Sequence, residues 1–315
     1  MAVAARRGAP WALLGVLLLV VPQVVRQSYV LDVLIEIALY IGFALTYDLV
    51  VGYVGSLSLA HPAFFGVGAY TTALLATKLH TPMLVNLAAA AAITGLLALA
   101  IGIPSFRLSE YSFAIGTLGF ATVAQVVAQN WIDLTSGPLC VTGVPRPVLF
   151  GLAIDSLPAF YYLMGGLALL ILLFTRRLIG SRIGRSFKAV RENEVMARAV
   201  GINPFKYKML AFCLGAGLAG CVGTLYAYYI GLVCPTDLAL NLTLTLLVIL
   251  FIGGSGSLRG VVLGAVLVTA LPEILRVSNQ WRLVAYGIGL LLIINFLPNG
   301  LEGLFRRRRA RDSAS

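Results

Sequence analysis

The residues best suited to chemistry in this sequence lie in one charged stretch between two long apolar runs. Residues 184–208, GRSFKAVRENEVMARAVGINPFKYK, contain six Lys or Arg and two Glu residues out of 35 charged residues in the chain. From Ser186 to Val200 the pattern predicts a modestly amphipathic helix, because Gly201 suits the left-handed position after a helix end and Pro204 prevents continuation. Its apolar members are Phe187, Val190, Val195, Met196, Ala199 and Val200. Two interpretations stay open: an interfacial helix held to anionic lipid, or a docking helix for a cytoplasmic partner.

A second set of polar side chains lies within an otherwise apolar region. Ser56, Ser58 and His61 place hydrogen-bonding groups at or near membrane depth. Gly55 and Gly66 permit a broken backbone or close packing of helices. Transporters bind substrates at the middle of the membrane where helices are interrupted, so these five residues are candidates for a substrate pathway. In the alternative reading the glycines serve packing alone, and His61 is a structural hydrogen-bonding group.

Three acidic residues, Asp32, Glu36 and Asp48, fall in the second apolar segment of the chain. Asp32 and Glu36 are one helical turn apart and share a face, whereas Asp48 lies elsewhere on the helix. Acidic side chains within a membrane are costly and often belong to proton or ion pathways. They raise the alternative of an ion-coupled transporter, although Asp32 is expected near the outer interface.

Sequence signatures of catalysis are absent. None of the four Lys residues follows a Gly, so the chain has no P-loop, and it has no HExxH, GxSxG or paired-His motif. We therefore expect no enzymatic activity, no metal and no cofactor on this chain. Cys140, Cys213, Cys221 and Cys234 show neither metal-ligand spacing nor a disulfide framework, and they are expected to be small buried apolar residues.

The composition places all these residues in a membrane protein. Of 315 residues, 60% are hydrophobic and 11% are charged, whereas a soluble domain has roughly 25% charged residues. Helices satisfy their own backbone hydrogen bonds in lipid, so the expected fold class is an all-α polytopic membrane protein. The net charge of +11 does not indicate nucleic-acid binding, because the basic residues cluster in a few loops and at the C-terminus.

Apolar segments of about 20 residues, each long enough for a membrane helix, recur along the chain. Ten of them lie near residues 10–27, 30–53, 62–79, 83–104, 112–131, 158–178, 209–233, 237–254, 260–278 and 281–298. With the N-terminus in the cytoplasm, 18 of the 23 basic residues fall on the cytoplasmic side, which supports an N-in, C-in orientation. A version with eight spanning helices and one re-entrant pair leaves both termini on the same sides of the membrane. The expected number of spanning helices is therefore eight to ten.

This orientation divides the chain into functional parts. A transmembrane domain covers residues 1–305 and includes a cytoplasmic loop at 180–208. Its longest outer loop, at 132–157, is rich in Gly and Pro and reads as structured. The basic tail at 306–315 is expected to be cytoplasmic and disordered.

The segment AVRENEVMARAVGINPFKYKMLAF, residues 189–212, resembles the coupling loop of branched-chain amino-acid ABC permeases of the LivM type. In that family the loop has the form A-[IV]-R-E-[ND]-E-x-x-A followed by a Gly, and its helix fits a cleft on the ATP-hydrolysing subunit. The resemblance implies that five residues couple this chain to an ATPase. They are Arg191, Glu192, Glu194, Ala197 and Gly201.

Three further stretches resemble the same family, in the same order along the chain. LVVGYVGSLSLAHPAFFGVGAYTTALL lies at 49–75, FAIGTLGF at 113–120 followed by LTSGPLCVTGVPRP at 134–147, and FIGGSGSLRGVVLGA at 251–265. The T-L-G-F run of the second stretch adds Thr117 to the candidates for the substrate pathway. Departures from the family pattern occur at Ala60, Pro62, Ser136 and Cys140. They lie near places that could touch substrate, so the resemblance leaves the exact substrate open.

The resemblance implies a permease subunit of an ABC importer for branched-chain or related hydrophobic amino acids, in the inner membrane of a bacterium. Its expected partners are a second permease subunit, two ATPase subunits that bind ATP and Mg²⁺, an extracytoplasmic substrate-binding protein and membrane lipid, with no nucleic acid. One alternative is a permease of the same family for urea, amides or other amino acids. An ion-coupled secondary transporter and a membrane scaffold without transport are the others.

Overall fold

The computed structural model describes residues 27–149 and 152–274. Within these ranges most residues are helical, and the strands form two pairs of two residues each. This part of the chain is therefore an all-α fold with small β ladders in its loops. The predicted segments 10–27 and 281–298, apart from residue 27, and the predicted tail lie outside the described residues.

The elements follow one another with short connections. The helices are α1 (Ser28–Asp48), which continues as a π-helical segment (Leu49–Val54), α2 (His61–Lys78), α3 (Met83–Ser105), α4 (Glu110–Asn130), α5 (Ile132–Thr135), α6 (Leu157–Gly180), α7 (Arg182–Glu192), α8 (Glu194–Ala199), α9 (Pro204–Ile230), α10 (Leu240–Gly253) and α11 (Leu258–Ile274). Two 3₁₀ turns lie at Gly137–Leu139 and Pro235–Leu238, and the strands are β1 (Val141–Thr142), β2 (Val148–Leu149), β3 (Leu152–Ala153) and β4 (Leu232–Val233).

Five helical stretches within the described ranges are long and apolar enough to cross a membrane: α1 with its π-helical segment, α3, α4, α6 and α9. Each coincides with a predicted apolar segment, and α2 forms at the segment predicted near 62–79. Helix α10 has 14 residues, which is about 21 Å of helix and shorter than a ~30 Å hydrocarbon core. The version of the topology with one re-entrant pair therefore stays open.

Helix α9 lies at the centre of the fold and packs against α1, α2 and α3. A Cβ atom at Gly68 of α2 would overlap the Gly220 carbonyl group of α9, and one at Gly223 would overlap the Phe65 carbonyl oxygen. The two backbones are thus in direct contact, as is common for helices that pack in lipid through small residues. The Thr72 hydroxyl of α2 also donates a hydrogen bond of 2.9 Å to Thr224 Oγ1 of α9.

A disulfide joins the 132–157 loop to the connection between α9 and α10. It links Cys140 to Cys234, 94 residues later, and β1 pairs antiparallel with β4 beside it. The prediction that all four cysteines are small buried apolar residues is therefore wrong for this pair. Their sequence spacing carries no local signal, because the two strands meet only through the tertiary fold. Cys213 and Cys221 are free.

The charged stretch forms two helices, α7 and α8, so the prediction of one helix from Ser186 to Val200 is wrong. Asn193 breaks it: its backbone is extended, with φ −163° and ψ 111°, and its side-chain oxygen accepts two backbone N–H groups at the start of α8. Asn side chains favour such caps over helix continuation. Helix α7 begins at Arg182, earlier than predicted, because the Ser181 hydroxyl caps it.

Candidate functional site

The helix that begins as α1 is broken between Val54 and His61. The π-helical segment ends at Gly55, whose φ of 86° is left-handed and suits glycine. Residues 55–60, here called the broken segment, are not helical. Helix α2 then begins with Pro62 in its first turn, where no backbone donor is needed. The backbone is therefore interrupted at Gly55, whereas Gly66 lies in close packing against Leu238.

Buried polar side chains from three helices hold the broken segment in place. The hydroxyl of Tyr47 on α1 donates to the Ser58 carbonyl oxygen at 2.9 Å. The backbone N–H of Leu59 donates to Thr117 Oγ1 at 3.0 Å, and Thr243 Oγ1 donates to the Leu59 carbonyl oxygen at 3.3 Å. Because Thr117 lies on α4 and Thr243 on α10, a displacement of the broken segment acts on both helices.

His61 packs inside the fold at the start of α2. It is fully buried, its Nε2 lies 3.0 Å from Thr46 Oγ1, and its ring packs against Phe43 and Tyr47. Its Nδ1 has no hydrogen-bond partner among the described residues. In this conformation His61 is a structural hydrogen-bonding group at the break.

The six predicted pathway residues fall into two places. Five of them meet at the break, namely Gly55, Ser56, Ser58, His61 and Thr117, and all except half-buried Gly55 are buried. The sixth, Gly66, lies further along α2, where an added Cβ would overlap the Leu238 side chain. These residues contact protein rather than open space in this conformation, so their role in a pathway stays a prediction.

Arg191, near the end of α7, connects the charged loop to the broken helix. Its guanidinium donates through Nη1 to the Gly52 carbonyl oxygen, and through Nη2 to Ser255 Oγ at 3.4 Å, in the turn between α10 and α11. The Gly52 carbonyl is available because the helix ends at Gly55 and leaves its last acceptors unpaired. An added Cβ at Gly55 would lie 3.1 Å from Arg191 Cγ, so the arginine also covers the break.

The other four predicted coupling residues lie on or beside α8. Glu192 is exposed, whereas Glu194 forms an ion pair with Lys208 of α9. Ala197 is 2% exposed and fixes α8 against the protein. Gly201, with φ of 82°, follows the end of α8 in the left-handed conformation, as the sequence predicts.

Three large apolar side chains, two on α8 and one just after it, are exposed on the outside of the protein. Val195 is 77% exposed, Met196 71% and Val200 75%. By contrast, Phe187 and Val190 of α7 are buried in a small apolar cluster. The six apolar residues of the predicted amphipathic helix therefore do not share one face. At about 100° per residue, Met196 and Val200 lie on the side opposite Phe187 even in a continuous helix.

A cavity of about 740 Å³ lies between α1, α9 and the Pro235–Leu238 turn. Asp32 and Glu36 both line it, which confirms that these two acids share a face. Tyr229 donates to Asp32 Oδ1 at 2.7 Å. Phe43 also lines the cavity and stacks on His61, with 5.8 Å between ring centres. The cavity therefore ends one aromatic ring away from the break.

Several residues of this site were not found from the sequence. They are Thr46, Tyr47, Thr243, Ser255 and Gly256. The last two fall in the Gly-rich stretch 251–265, which the resemblance does single out. Thr46, Tyr47 and Thr243 belong to no sequence motif. Only their hydrogen bonds to residues distant in the sequence show that they are part of the site. Within residues 27–149 and 152–274, no group of His, Cys, Asp or Glu side chains is arranged to hold a metal ion.

The fold and the site together define a class. The chain is a multi-pass α-helical membrane protein in which a loop element, α7–α8, is attached directly to a broken membrane helix. Such an attachment suits a transport permease that is moved by a partner, because interrupted helices are the mobile and substrate-binding elements of transporters.

Comparison with known proteins gives the family. The model of the family described as "Branched-chain amino acid transport system / permease component" matches residues 29–295. The chain is 31% identical over 298 residues to the high-affinity branched-chain amino acid transport system permease protein LivM of Salmonella typhimurium, covering 87% of this chain and 70% of the relative. It is 31% identical over 291 residues to LivM of Escherichia coli K12, covering 85% and 68%. To LivH of Escherichia coli K12 it is 26% identical over 287 residues, covering 84% and 91%.

This chain belongs to the family of permease components of branched-chain amino acid transport systems. The resemblance in the four sequence stretches is thereby confirmed, and the family is one of transport permeases rather than a class of enzymes. No solved structure matches the chain significantly.

Proposed function

We propose that this chain is the membrane-spanning permease subunit of an ABC importer for branched-chain or related hydrophobic amino acids, in the inner membrane of a bacterium. Two partner ATPase subunits bind and hydrolyse ATP with Mg²⁺, a second permease subunit completes the membrane part, and an extracytoplasmic protein delivers the substrate. The observation that carries the proposal is the outward apolar surface of α8 directly beside Arg191.

This docking surface consists of Glu192, Val195, Met196 and Val200. Exposed apolar side chains grouped within a charged loop mark a contact with another protein or with a membrane. The defined surface carries the carboxylate of exposed Glu192, which the negative potential of anionic lipid would repel. A short, rigid, partly acidic surface therefore fits a cleft on a protein better than anionic lipid, and the docking interpretation is preferred over the interfacial one.

The contacts of Arg191 supply a route from the docking surface to the membrane helices. A push on α8 moves α7, and Arg191 carries the motion to the Gly52 carbonyl in the π-helical segment. The broken segment follows, and its hydrogen bonds to Thr117 and Thr243 pass the motion to α4 and α10. Alternating access then corresponds to a rearrangement of these helices around the break, driven by closure of the ATPases.

The disulfide supports the orientation of the chain. Disulfides form on the oxidising, extracytoplasmic side of a bacterial membrane, and the Cys140–Cys234 bond lies in the 132–157 loop and the α9–α10 connection. The cavity of about 740 Å³ is lined in part by the same connection. We therefore assign this cavity to the outer side, where a substrate released from the binding protein enters.

The alternatives predict different roles for the acids. An ion-coupled transporter would need a proton or ion pathway through Asp32, Glu36 or Asp48, yet Asp48 is held by the Gly256 backbone at the far end of α1. A family permease for urea, amides or other amino acids has the same coupling apparatus. Only an uptake assay distinguishes that alternative from a permease for branched-chain amino acids, because the cavity carries no side-chain pattern specific to one substrate.

Co-purification tests the proposal. The detergent-solubilised chain is isolated from its native membrane, and bound proteins are identified by mass spectrometry, for the wild type and a Glu192→Lys, Met196→Lys double variant. We expect P-loop ATPases with the wild type and a loss of at least about tenfold with the variant. An Asp155→Lys variant is the matched control, since Asp155 is exposed in the loop assigned to the opposite side, and it should retain the ATPases.

Uptake of leucine, isoleucine, valine and urea into vesicles that contain the purified complex then identifies the substrate class. A wild-type chain that purifies without any ATPase under mild conditions contradicts the importer. Equal retention of ATPases by the double variant leaves the importer intact but removes α8 as its docking site.

A further inference from the structure

Asp48 lies where the π-helical segment, the α10–α11 turn and α7 meet. The residue is fully buried, and its Oδ1 accepts the backbone N–H of Gly256 at 2.8 Å. Its second oxygen, Oδ2, is buried and has no hydrogen-bond partner in the described part of the structure. A buried carboxylate oxygen without a donor is energetically costly, so this side chain is only half satisfied in the present conformation.

Arg191 is the cation beside this carboxylate. Two glycines make the close approach possible: an added Cβ at Gly52 would overlap Asp48 Oδ1, and one at Gly256 would lie 2.5 Å from Arg191 Nη1. The guanidinium nevertheless uses neutral acceptors, the Gly52 carbonyl oxygen and Ser255 Oγ. Its bond to Ser255, at 3.4 Å, is long for a hydrogen bond and is exposed to competing water.

We propose that Asp48 and Arg191 form a two-position latch between the charged loop and the broken helix. In the position described here, the guanidinium binds Gly52 and Ser255. In the second position, α7 has shifted and the guanidinium donates to Asp48 Oδ2. A hydrogen bond between two charged groups is roughly twice as strong as a neutral one, so exchange of the Ser255 bond for the Asp48 bond stabilises the second position once α7 moves.

The latch rests on the proposed function, because the closing ATPases supply the movement of α7. Asp48 is a positioning residue within it: the carboxylate acts through Arg191 and does not line the cavity that contains Asp32 and Glu36. The packed cluster favours two discrete arrangements over continuous deformation. Asp48, unlike the acids of a proton pathway, thus serves mechanical coupling rather than proton transfer.

The experiment compares importers that contain wild type, Asp48→Asn, Arg191→Gln and the double variant, assembled with the native partner subunits in vesicles. Asn retains an oxygen that accepts the Gly256 N–H, so Asp48→Asn preserves the turn and removes the charged second position. We expect its maximal ATP-driven uptake to fall at least about tenfold, the equivalent of losing one charge-assisted hydrogen bond. The substrate concentration for half-maximal uptake and the amount of bound ATPase should stay within about twofold of wild type. A Glu110→Gln variant, changed at an exposed position, controls for the loss of one carboxylate.

A double-mutant cycle separates the latch from a merely structural role. If Asp48 and Arg191 act on each other, the double variant loses no more uptake than the Arg191→Gln variant alone. Wild-type uptake by Asp48→Asn, or multiplied losses in the double variant, overturns the latch while leaving the importer intact. Absence of ATP-driven uptake with the wild-type chain contradicts the proposed function itself. Retained ATPase binding shows that each variant has folded and assembled.

Discussion

At the scale of single residues, the site is built from polar groups that the break in the helix leaves unpaired. The Gly52 carbonyl oxygen accepts a hydrogen bond from Arg191. The Leu59 N–H donates to Thr117, and the Leu59 carbonyl oxygen accepts from Thr243. Buried backbone groups must find such partners, so the side chains that supply them determine where the break lies and how firmly it is held. Arg191 thereby acts on the π-helical segment just before the break, and Thr117 and Thr243 act on the broken segment itself.

The Thr117→Val substitution removes one of these partners, the Thr117 hydroxyl, and tests whether it holds the broken segment. Valine has nearly the same shape but no acceptor, so the partly buried Leu59 N–H loses its partner at a cost of about 1–3 kcal/mol. We expect a lower melting temperature of the detergent-solubilised protein and reduced uptake. Thr122→Val is the control on the same helix, because Thr122 is exposed and bonds only to the Leu118 carbonyl oxygen of its own helix. Equal melting temperatures for both variants contradict the role of Thr117.

At the scale of elements, two connections decide how the chain works. Asn193 separates α7 from α8, so α7 presents Arg191 and its apolar residues to the protein while α8 presents apolar residues outward. The second connection is the disulfide with the β1–β4 pair, which links the 132–157 loop to the α9–α10 connection. Each connection joins a surface element to the membrane helices, which the proposed mechanism requires it to move or position.

The disulfide is testable by counting thiols. Denatured protein treated with a maleimide polymer before reduction should carry two labels, on Cys213 and Cys221, and four after reduction. A Cys140→Ser variant should carry three labels without reduction, because Cys234 is then free. Four labels on unreduced wild-type protein, taken directly from the membrane, mean that the bond is not formed there.

At the scale of the whole molecule, the fold separates the proposed docking surface from the cavity that we assign to the outer side. The docking surface lies on α8, and the cavity opens beside the Pro235–Leu238 turn. Between them stand the broken segment and the centrally packed helices α2 and α9. This separation is what the proposed importer requires, because its ATPases would act on one side of the membrane and its substrate would arrive on the other.

Sidedness can be measured with single cysteines in a background that carries Cys213→Ala and Cys221→Ala. Asp155→Cys should react with a membrane-impermeant maleimide in intact cells. Glu192→Cys should react only after the membrane is made permeable, because it lies in the loop assigned to the cytoplasm. Reaction of both cysteines in intact cells contradicts the proposed orientation, and the native disulfide serves as an internal unreactive pair.

Much of the fold was predictable from the sequence because membrane helices are local features. A run of about 20 apolar residues is sufficient to predict a spanning helix, and Gly201 alone marks the end of α8. The candidate coupling residues were predicted from a motif, and one of them, Arg191, contacts the broken helix. The exposure of Val195, Met196 and Val200 was not predicted, because it depends on which side of α8 packs against the rest of the protein. The burial of Ala197 marks that side.

The sequence by itself determined the class of protein, the positions of most helices and the family, because hydropathy, helix ends and motifs are read over a few neighbouring residues. The tertiary structure alone decided the pairs that make the site: Cys140 with Cys234 across 94 residues, and Arg191 with Gly52 across 139. These contacts depend on which backbone groups a broken helix leaves unpaired and on which distant element is packed close enough to bind them. That information resides in the packing of α1, α7 and the α10–α11 turn, and no local pattern contains it.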